Sequence, residues 1–302
     1  MIKMEVCNME QFKKSFDQLI LENLEDRGFG PFGYSLNGKT HPVYYSKEAF
    51  TAFICEMGLC YPQHYCRYIN GQGSELEETS APPKMASVAS SSRFAYLALR
   101  HGAQAIGGTE QVEFEHECRI TGIRGTAPQL DAYTTDAKGN PIYIEVKCHE
   151  IFDPHKVELR AAYWQKIYGN QNDFGFPEQD ALFSENFTIP LSEFGIDRDH
   201  SMVDIKQLLC HLMGIASQKE ANRTATLVYL FFRPTVPGRF GDAINHYFCR
   251  LIDEIDRVFI STPIRNFCTA HKIDLKVVVE ETAVMEKLTG KNIGYLRDYP
   301  HK

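Results

Sequence analysis

The stretch QLDAYTTDAKGNPIYIEVKCHE, residues 129–150, decides the fold of this chain. Residues 129–136 alternate and are rich in side chains that favour strands. The sequence KGNP at 138–141 supplies a turn, and proline is tolerated at the first position of the strand that follows. The pattern therefore predicts a β-hairpin whose second strand covers residues 141–149.

Alternation along the second strand separates an apolar face from a charged one. Successive side chains of a strand point to opposite sides, so Glu145 and Lys147 share one face. On the first strand, Asp131 is an isolated acid between Leu130 and Ala132. A hairpin can bring it beside Glu145. Two carboxylates and one ammonium group are thus expected at one place.

This combination of groups suggests hydrolytic chemistry on a phosphate ester. Two acids on rigid strands can hold a hard divalent cation such as Mg²⁺, which prefers oxygen ligands. Such a cation lowers the pKa of a bound water and neutralises a phosphate oxygen. The lysine can orient the attacking water or stabilise charge that builds on phosphorus. An exposed, charged strand face with no chemistry is the alternative explanation of the Glu-Val-Lys triplet.

Bulk properties place the chain among ordinary globular proteins. Its 302 residues are 43% hydrophobic and carry a formal net charge of −7, which predicts a single domain over 1–302 with a normal core. The charge argues against a non-specific nucleic-acid coat protein but not against a nuclease. No apolar run is long enough for a bilayer span. The nine scattered cysteines and the absence of an apolar signal core predict a cytoplasmic protein with reduced thiols and no membrane partner.

The segments around the hairpin predict helices on both sides of a mixed sheet. Apolar spacing indicates helices over 9–27, 47–57, 87–100, 154–168, 204–216 and 242–259, and strands over 112–120, 225–233 and 274–280. The nine residues ATLVYLFFR at 225–233 indicate a central strand buried on both faces. Residues 28–38 are expected to form a loop, 153–200 a decorating excursion, and 281–288 a short terminal helix. The fold class is therefore α/β.

The hairpin and its surroundings resemble the PD-(D/E)XK nuclease superfamily. The signature there is an acid followed by Glu-x-Lys, matched here by Asp131, thirteen residues, and then Glu145-Val-Lys147. The acid follows Gln-Leu rather than the proline of the signature. The segments PPKMASVASSS, LDAY…IEVKCHEIFD and DIKQLLCHLMGI also resemble a bacterial group of restriction-endonuclease-like proteins. The resemblance covers about residues 71–234.

The resemblance implies a fold, a site and a substrate. The fold would be the restriction-endonuclease-like αβββαβ core, a mixed central sheet flanked by helices at about 71–234, with N-terminal helical decoration over 1–70, an insertion, and a C-terminal extension over 235–302. Asp131 and Glu145 would bind Mg²⁺ or Mn²⁺, and Lys147 would serve hydrolysis. A lysine or glutamine on the following helix often reaches the site in this superfamily, and Gln207 or Lys206 occupies that place. The implied partner is DNA, with a homodimer as a possible assembly by analogy.

Several alternatives remain open from the sequence. The chain could be a nuclease fold without catalysis, acting as a nucleic-acid-binding or protein-interaction module, or a metal-dependent hydrolase with another substrate, and RNA is not distinguished from DNA. Either Glu75 or an acid of 113–117 could complete the metal site. A zinc site is a further candidate, although no CxxC pair occurs among its four candidate ligands, Cys55, Cys60, His64 and Cys66.

Overall fold

The structure is a computed structural model that describes residues 9–71, 75–125, 127–169, 172–177, 186–235, 238–282 and 293–301. In these ranges the chain forms eight α-helices and ten β-strands. The helices are α1 (Met9–Glu25), α2 (Lys47–Cys60), α3 (Pro62–Asn70), α4 (Ser91–Leu99), α5 (Trp164–Ile167), α6 (Ile205–Gln218), α7 (Gly238–Ile260) and α8 (Thr262–His271). The strands are β1 (Phe32–Leu36), β2 (Lys39–Tyr45), β3 (Glu113–Glu117), β4 (Gln129–Thr135), β5 (Pro141–Lys147), β6 (Glu158–Arg160), β7 (Asn186–Thr188), β8 (Ala225–Pro234), β9 (Ile273–Thr282) and β10 (Ile293–Tyr299).

A six-stranded mixed sheet is the centre of the structure. Its strand order is β10-β9-β8-β5-β4-β3. The inner pairs β5–β8 and β8–β9 are parallel, and the pairs β3–β4, β4–β5 and β9–β10 are antiparallel. The predicted α/β class and mixed central sheet are thus confirmed, and β8 lies inside the sheet as its unbroken apolar sequence indicates.

Helices cover both faces of the sheet because the central strand β8 is apolar on each side. On one face, the ring of Phe94 in α4 lies 5.2 Å from the ring of Phe232. On the other, the ring of Phe259 in α7 lies 5.7 Å from that of Tyr229. Helix α6 packs on the second face, close to the end of β3 at Gly214. Along the chain, α4 precedes β3, β4 and β5, the segment with β6, α5 and β7 follows, and α6 precedes β8.

Outside 71–234, the helices predicted over 9–27 and 47–57 form as α1 and α2, whereas other segments differ from the prediction. Residues 28–38, expected as a loop, include strand β1, which pairs with β2 in a separate hairpin. Beyond residue 234, β9 and β10 extend the central sheet itself. The helix expected at 281–288 falls mostly outside the described residues, and its first two residues end β9.

The prediction of a helix over 154–168 is wrong. The chain instead forms the short strand β6, a 3₁₀ turn at Ala161–Tyr163 and the four-residue helix α5. Strand β6 pairs with β7, and Leu159 and Phe187 lie opposite each other and are buried. A long-range strand pairing therefore replaces the local helical pattern, because it buries these two apolar side chains.

Among the helices of the described residues, none is both long and apolar enough to cross a bilayer.

The close approach of α6 to the end of β3 yields a test of the packing. A Cβ at Gly214 would lie 2.5 Å from the carbonyl oxygen of Cys118 and 2.7 Å from its Cβ. We expect Gly214→Ala to destabilise the protein by roughly 1–3 kcal/mol in urea unfolding, although alanine favours helices. Gly58→Ala in α2 is the matched control, since its Cβ would meet only the Tyr65 ring at 3.9 Å. A Gly214→Ala protein as stable as Gly58→Ala would contradict this packing.

Candidate active site

Three carboxylates lie in one row across neighbouring strands. Pairing of Ala132 with Ile144 sets the register of β4 and β5, and the next position places Asp131 opposite Glu145. The register of β3 and β4 likewise places Glu115 opposite Asp131. Asp131 and Glu145 therefore project to the same face, since opposite residues of paired strands share a face. Glu115 has a positive φ of 53°, which interrupts the regular alternation of β3, and it lines the same cavity. The hairpin predicted from sequence thus brings Asp131 and Glu145 together.

Hydrogen bonds fix the predicted site residues relative to one another. The Val146 backbone N–H donates to Asp131 Oδ2 at 2.7 Å. Lys147 Nζ lies 2.7 Å from Glu145 Oε1 and donates to Gln207 Oε1 at 2.6 Å. Gln207 reaches this position from the first turn of α6. All four predicted site residues therefore lie in one connected cluster.

The start of α6 is fixed by its N-cap. Asp204 Oδ1 accepts a hydrogen bond from the backbone N–H of Gln207 at 2.9 Å, so the capping residue positions the helix turn that carries the glutamine. His155 adds a second contact to this cap, because its Nδ1 lies 3.6 Å from Asp204 Oδ2. The orientation of Gln207 towards Lys147 therefore depends on this N-cap. An aspartate before an apolar helical segment is a signal that can be recognised in the sequence.

A cavity of about 420 Å³ opens onto the cluster, and two of the further acids that line it are glutamates. Glu75 and Glu115 both line it together with Asp131 and Glu145. Glu75 is buried and pairs with Lys84, whose Nζ lies 3.2 Å from Glu75 Oε1. The sequence left open whether Glu75 or an acid of 113–117 completes the site, and both Glu75 and Glu115 reach the same cavity.

The crowding of negative charge perturbs the acids of the row. Burial, together with the nearby Glu145 and Glu115 carboxylates, raises the pKa of Asp131 well above its ordinary value. Burial and the neighbouring Glu75 raise the pKa of Glu115 to about 7. In both cases ionisation is opposed by lost hydration and by like charge, which the lysines only partly offset.

His211 borders the site as a neutral group. Its Nε2 lies 3.1 Å from the carbonyl oxygen of Gln129 and 3.8 Å from Glu145 Oε2. Burial lowers the pKa of His211, and a carbonyl only accepts hydrogen bonds, so Nε2 carries the proton and donates it. This histidine supports the β4 backbone beside Asp131.

The donor set fits an oxygen-preferring divalent cation held by few protein ligands. Over the ranges that the structure describes, no three His, Cys, Asp or Glu side chains converge into a group that could hold a metal ion. Asp131 and Glu145 are nevertheless opposite carboxylates whose repulsion a cation would relieve. Mg²⁺ usually keeps several waters and takes only one or two protein carboxylates, so two acids suffice for such a site.

The zinc alternative gains no support from the described residues. Cys55, Cys60 and Cys66 are exposed, whereas His64 is buried with its ring 4.8 Å from that of Phe114. A tetrahedral zinc site needs its ligands around one point, and these four side chains do not provide such a point.

Arg93 and His149 contact other parts of the protein. Arg93 is buried between the rings of Tyr45 and Phe53, with its guanidinium carbon 4.1 and 4.0 Å from their centroids. His149, next to the Glu-Val-Lys strand, pairs with Asp17 of α1 at 3.0 Å. Neither lines the cavity at Asp131.

Sequence reasoning missed two residues that border the cluster. His211 follows Gln207 by one helical turn, so the four-residue spacing is a signal that could have placed it near the site. Tyr229 is different, because it sits in an apolar strand and only the register of β5 and β8 puts it beside Glu145. Nothing in the sequence distinguishes Tyr229 from a tyrosine that is simply buried in the core.

No protein-family model, curated protein or solved structure matches this chain.

The raised pKa of Glu115 predicts a pH-dependent stability difference. The folded state binds a proton at the Glu115 carboxylate more tightly than the unfolded chain does. The free energy of unfolding therefore decreases as the pH rises from about 4.5 towards 7. We expect Glu115→Gln to be more stable than the wild type at pH 8, on the order of 1–3 kcal/mol, in urea unfolding with a chelator present. The difference should shrink at pH 5.

Glu117→Gln is the control for this pH experiment. Glu117 lies on the same strand and pairs with Arg119 at 2.9 Å on a more exposed part of the sheet. Its replacement should change stability by less than about 1 kcal/mol at both pH values. A Glu115→Gln difference that is the same at pH 5 and pH 8 would show that charge crowding is not the cause.

Proposed function

We propose that this protein is a metal-dependent nuclease of the PD-(D/E)XK type that hydrolyses DNA phosphodiester bonds. The observation that carries the proposal is the joining of Asp131, Glu145 and Lys147 with Gln207 at one end of a cavity. A strand-borne acid pair with an adjacent lysine is the donor set that phosphodiester hydrolysis needs. A purely structural ion pair would not require the opposed second carboxylate.

The order of elements supports the same proposal. Helix α4, strands β3 to β5, helix α6 and strand β8 follow the αβββαβ order expected of a restriction-endonuclease-like core. The acids lie on β4 and β5, and the glutamine lies on the helix that precedes β8. Fold order and site chemistry are separate observations, and both favour a nuclease.

Asp131 and Glu145 would hold Mg²⁺ or Mn²⁺. When bound, the cation would lower the pKa of a water molecule and offset negative charge on a phosphate oxygen. Asp131 is fixed by the Val146 N–H, so one carboxylate oxygen is oriented before any ligand arrives. Because the pKa of Asp131 is raised, cation binding at this carboxylate should release a proton.

Lys147 and Gln207 would act on the water and the phosphate. The Lys147 ammonium is held between Glu145 and Gln207, which fixes its Nζ beside the acids. From there its N–H groups can donate a hydrogen bond to the attacking water, or to the oxygen that gains charge as the phosphorus–oxygen bond breaks. Gln207 restricts the lysine to one position and so limits the entropy lost in reaching that geometry.

The direct test is cleavage of a substrate panel with Mg²⁺ or Mn²⁺. Plasmid, linear duplex, single-stranded DNA and RNA are incubated with the wild type and with Glu145→Ala, side by side. We expect cleavage by the wild type alone, together with proton release and heat on cation binding that Glu145→Ala loses. If calorimetry detects no cation binding to the wild type and no substrate is cut, the nuclease proposal is wrong.

Lys147→Met separates catalysis from folding. It keeps the aliphatic stem of the lysine and removes the ammonium, so we expect cleavage to fall roughly 10²–10³-fold, with cation binding retained. Lys276→Met on β9 is the control, since Lys276 pairs only loosely with Asp298 at 3.9 Å and lies outside the cavity. A folded Lys147→Met protein that cleaves at the wild-type rate would refute the role of Lys147.

A further inference from the structure

Part of the cavity at the acids is lined by apolar side chains, and this part is called the chamber. The chamber is formed by one residue before α6, two residues of β8 and three of α7: Val203, Tyr229, Phe231, Leu251, Ile255 and Phe259. These side chains are all at most 6% exposed. The chamber is therefore walled by buried side chains of the sheet and α7, and it belongs to the same cavity as the carboxylates.

Tyr229 connects the chamber to the site. It pairs with Glu145 in the register of β5 and β8, one strand away at the usual spacing of about 4.8 Å. It is 3% exposed, and within the described residues its hydroxyl has no hydrogen-bond partner. A buried hydroxyl usually has a partner, and a ligand in the chamber could supply one.

Hydrogen bonds to α7 hold the part of the cavity wall that Met202 and Val203 form. Buried Glu254 of α7 accepts hydrogen bonds through Oε1 from the Ser201 hydroxyl at 2.7 Å and from the backbone N–H groups of Met202 at 2.6 Å and Val203 at 3.3 Å. Its other carboxylate oxygen pairs with Arg198. This part of the wall is thus fixed before any ligand binds, which lowers the cost of ordering it around a ligand.

The charge around the cavity disfavours a continuous duplex. Six of the lining residues are acidic and two are lysines: Glu75, Glu115, Asp131, Glu145, Asp153 and Asp204 against Lys84 and Lys147. Duplex DNA is held mainly by basic side chains on its phosphates. A site with an excess of acid has to gain affinity elsewhere, and burial of an aromatic base is one source.

We propose that the chamber receives one unpaired nucleobase next to the cleaved bond, so that the substrate is nucleic acid with an unpaired nucleotide. This rests on the proposed nuclease function. A base has two apolar faces, which suit aromatic and aliphatic walls, and a polar edge, which the Tyr229 hydroxyl can bond. A base stacked within a duplex cannot enter an enclosed chamber unless it leaves the stack, and that costs free energy which an unpaired base does not pay.

The test uses one DNA sequence as a fully paired duplex and as a duplex with one bulged nucleotide. We expect the wild type to cut beside the bulge roughly tenfold faster or more than in the paired duplex. A bulged 2-aminopurine should change its emission on binding, because it leaves water and contacts the chamber walls. Emission is measured with Ca²⁺ in place of Mg²⁺, so that binding is read separately from cleavage.

Val203→Phe fills the chamber. We expect it to lose the 2-aminopurine signal and to raise, roughly tenfold or more, the ratio of cleavage at an abasic bulge to cleavage at an intact one. Val112→Phe is the matched control, since Val112 lines a separate cavity of about 410 Å³ beside Tyr61 and Tyr133. The control should keep the wild-type ratio and signal.

Tyr229→Phe tests the polar contact without changing the volume. We expect the cleavage rates for bulged A, C, G and T to move towards one another when the hydroxyl is removed. An unchanged spread among the four bases would overturn the assignment of Tyr229 to the base edge.

The outcomes separate the two proposals. Equal wild-type rates on paired and bulged DNA would overturn the chamber and leave the nuclease standing. No cleavage of any form, together with no cation binding, would overturn the nuclease, and the 2-aminopurine signal would then decide the chamber alone. A signal lost in Val203→Phe but kept in the wild type and Val112→Phe supports the chamber, and the same signal in these three proteins overturns it.

Discussion

Like charges held at short range across three strands are the constraint on which the site depends. The sheet register places Glu115, Asp131 and Glu145 in a row, and Glu75 adds a fourth acid from a preceding segment. Their repulsion is worst where water is excluded, because the effective dielectric constant is low there. The protein tolerates this arrangement through Lys147, Lys84 and the raised proton affinity of two of the acids.

The surrounding architecture makes that repulsion persistent. β5 is paired on both sides, by β4 and β8, so Glu145 cannot move away from Asp131 without breaking the sheet. The N-cap of α6 holds Gln207, and Gln207 holds the lysine. Rigidity of this kind stores unfavourable electrostatic free energy in the folded state, and such storage is common where a protein binds a cation or a charged transition state.

Much of this arrangement follows from the sequence. The hairpin around Gly139, the alternation that separates Glu145 and Lys147 from their apolar neighbours, and the capped helix with Gln207 are local patterns, and local patterns determine local structure. The failures are non-local. Strand β6 forms in place of the predicted helix because Leu159 pairs with Phe187, which lies far along the chain. Tyr229 lies at the site only because β8 pairs in parallel with β5, and no local pattern encodes that pairing. Glu75 and Glu115 could be named as candidates, but only the tertiary fold selects them.

The hairpin also carries a consequence for how the chain folds. Asp131 and Glu145 are only fourteen residues apart and face each other in a two-strand unit, which is the kind of local element that forms within microseconds. Two ionised carboxylates at opposite positions slow that step, so protonation or a divalent cation would speed up hairpin formation. The parallel partner β8 comes about eighty residues later and closes a much longer loop. We therefore expect the acid pair to form before the elements that bury it, so that ions in the medium influence folding from its first stages.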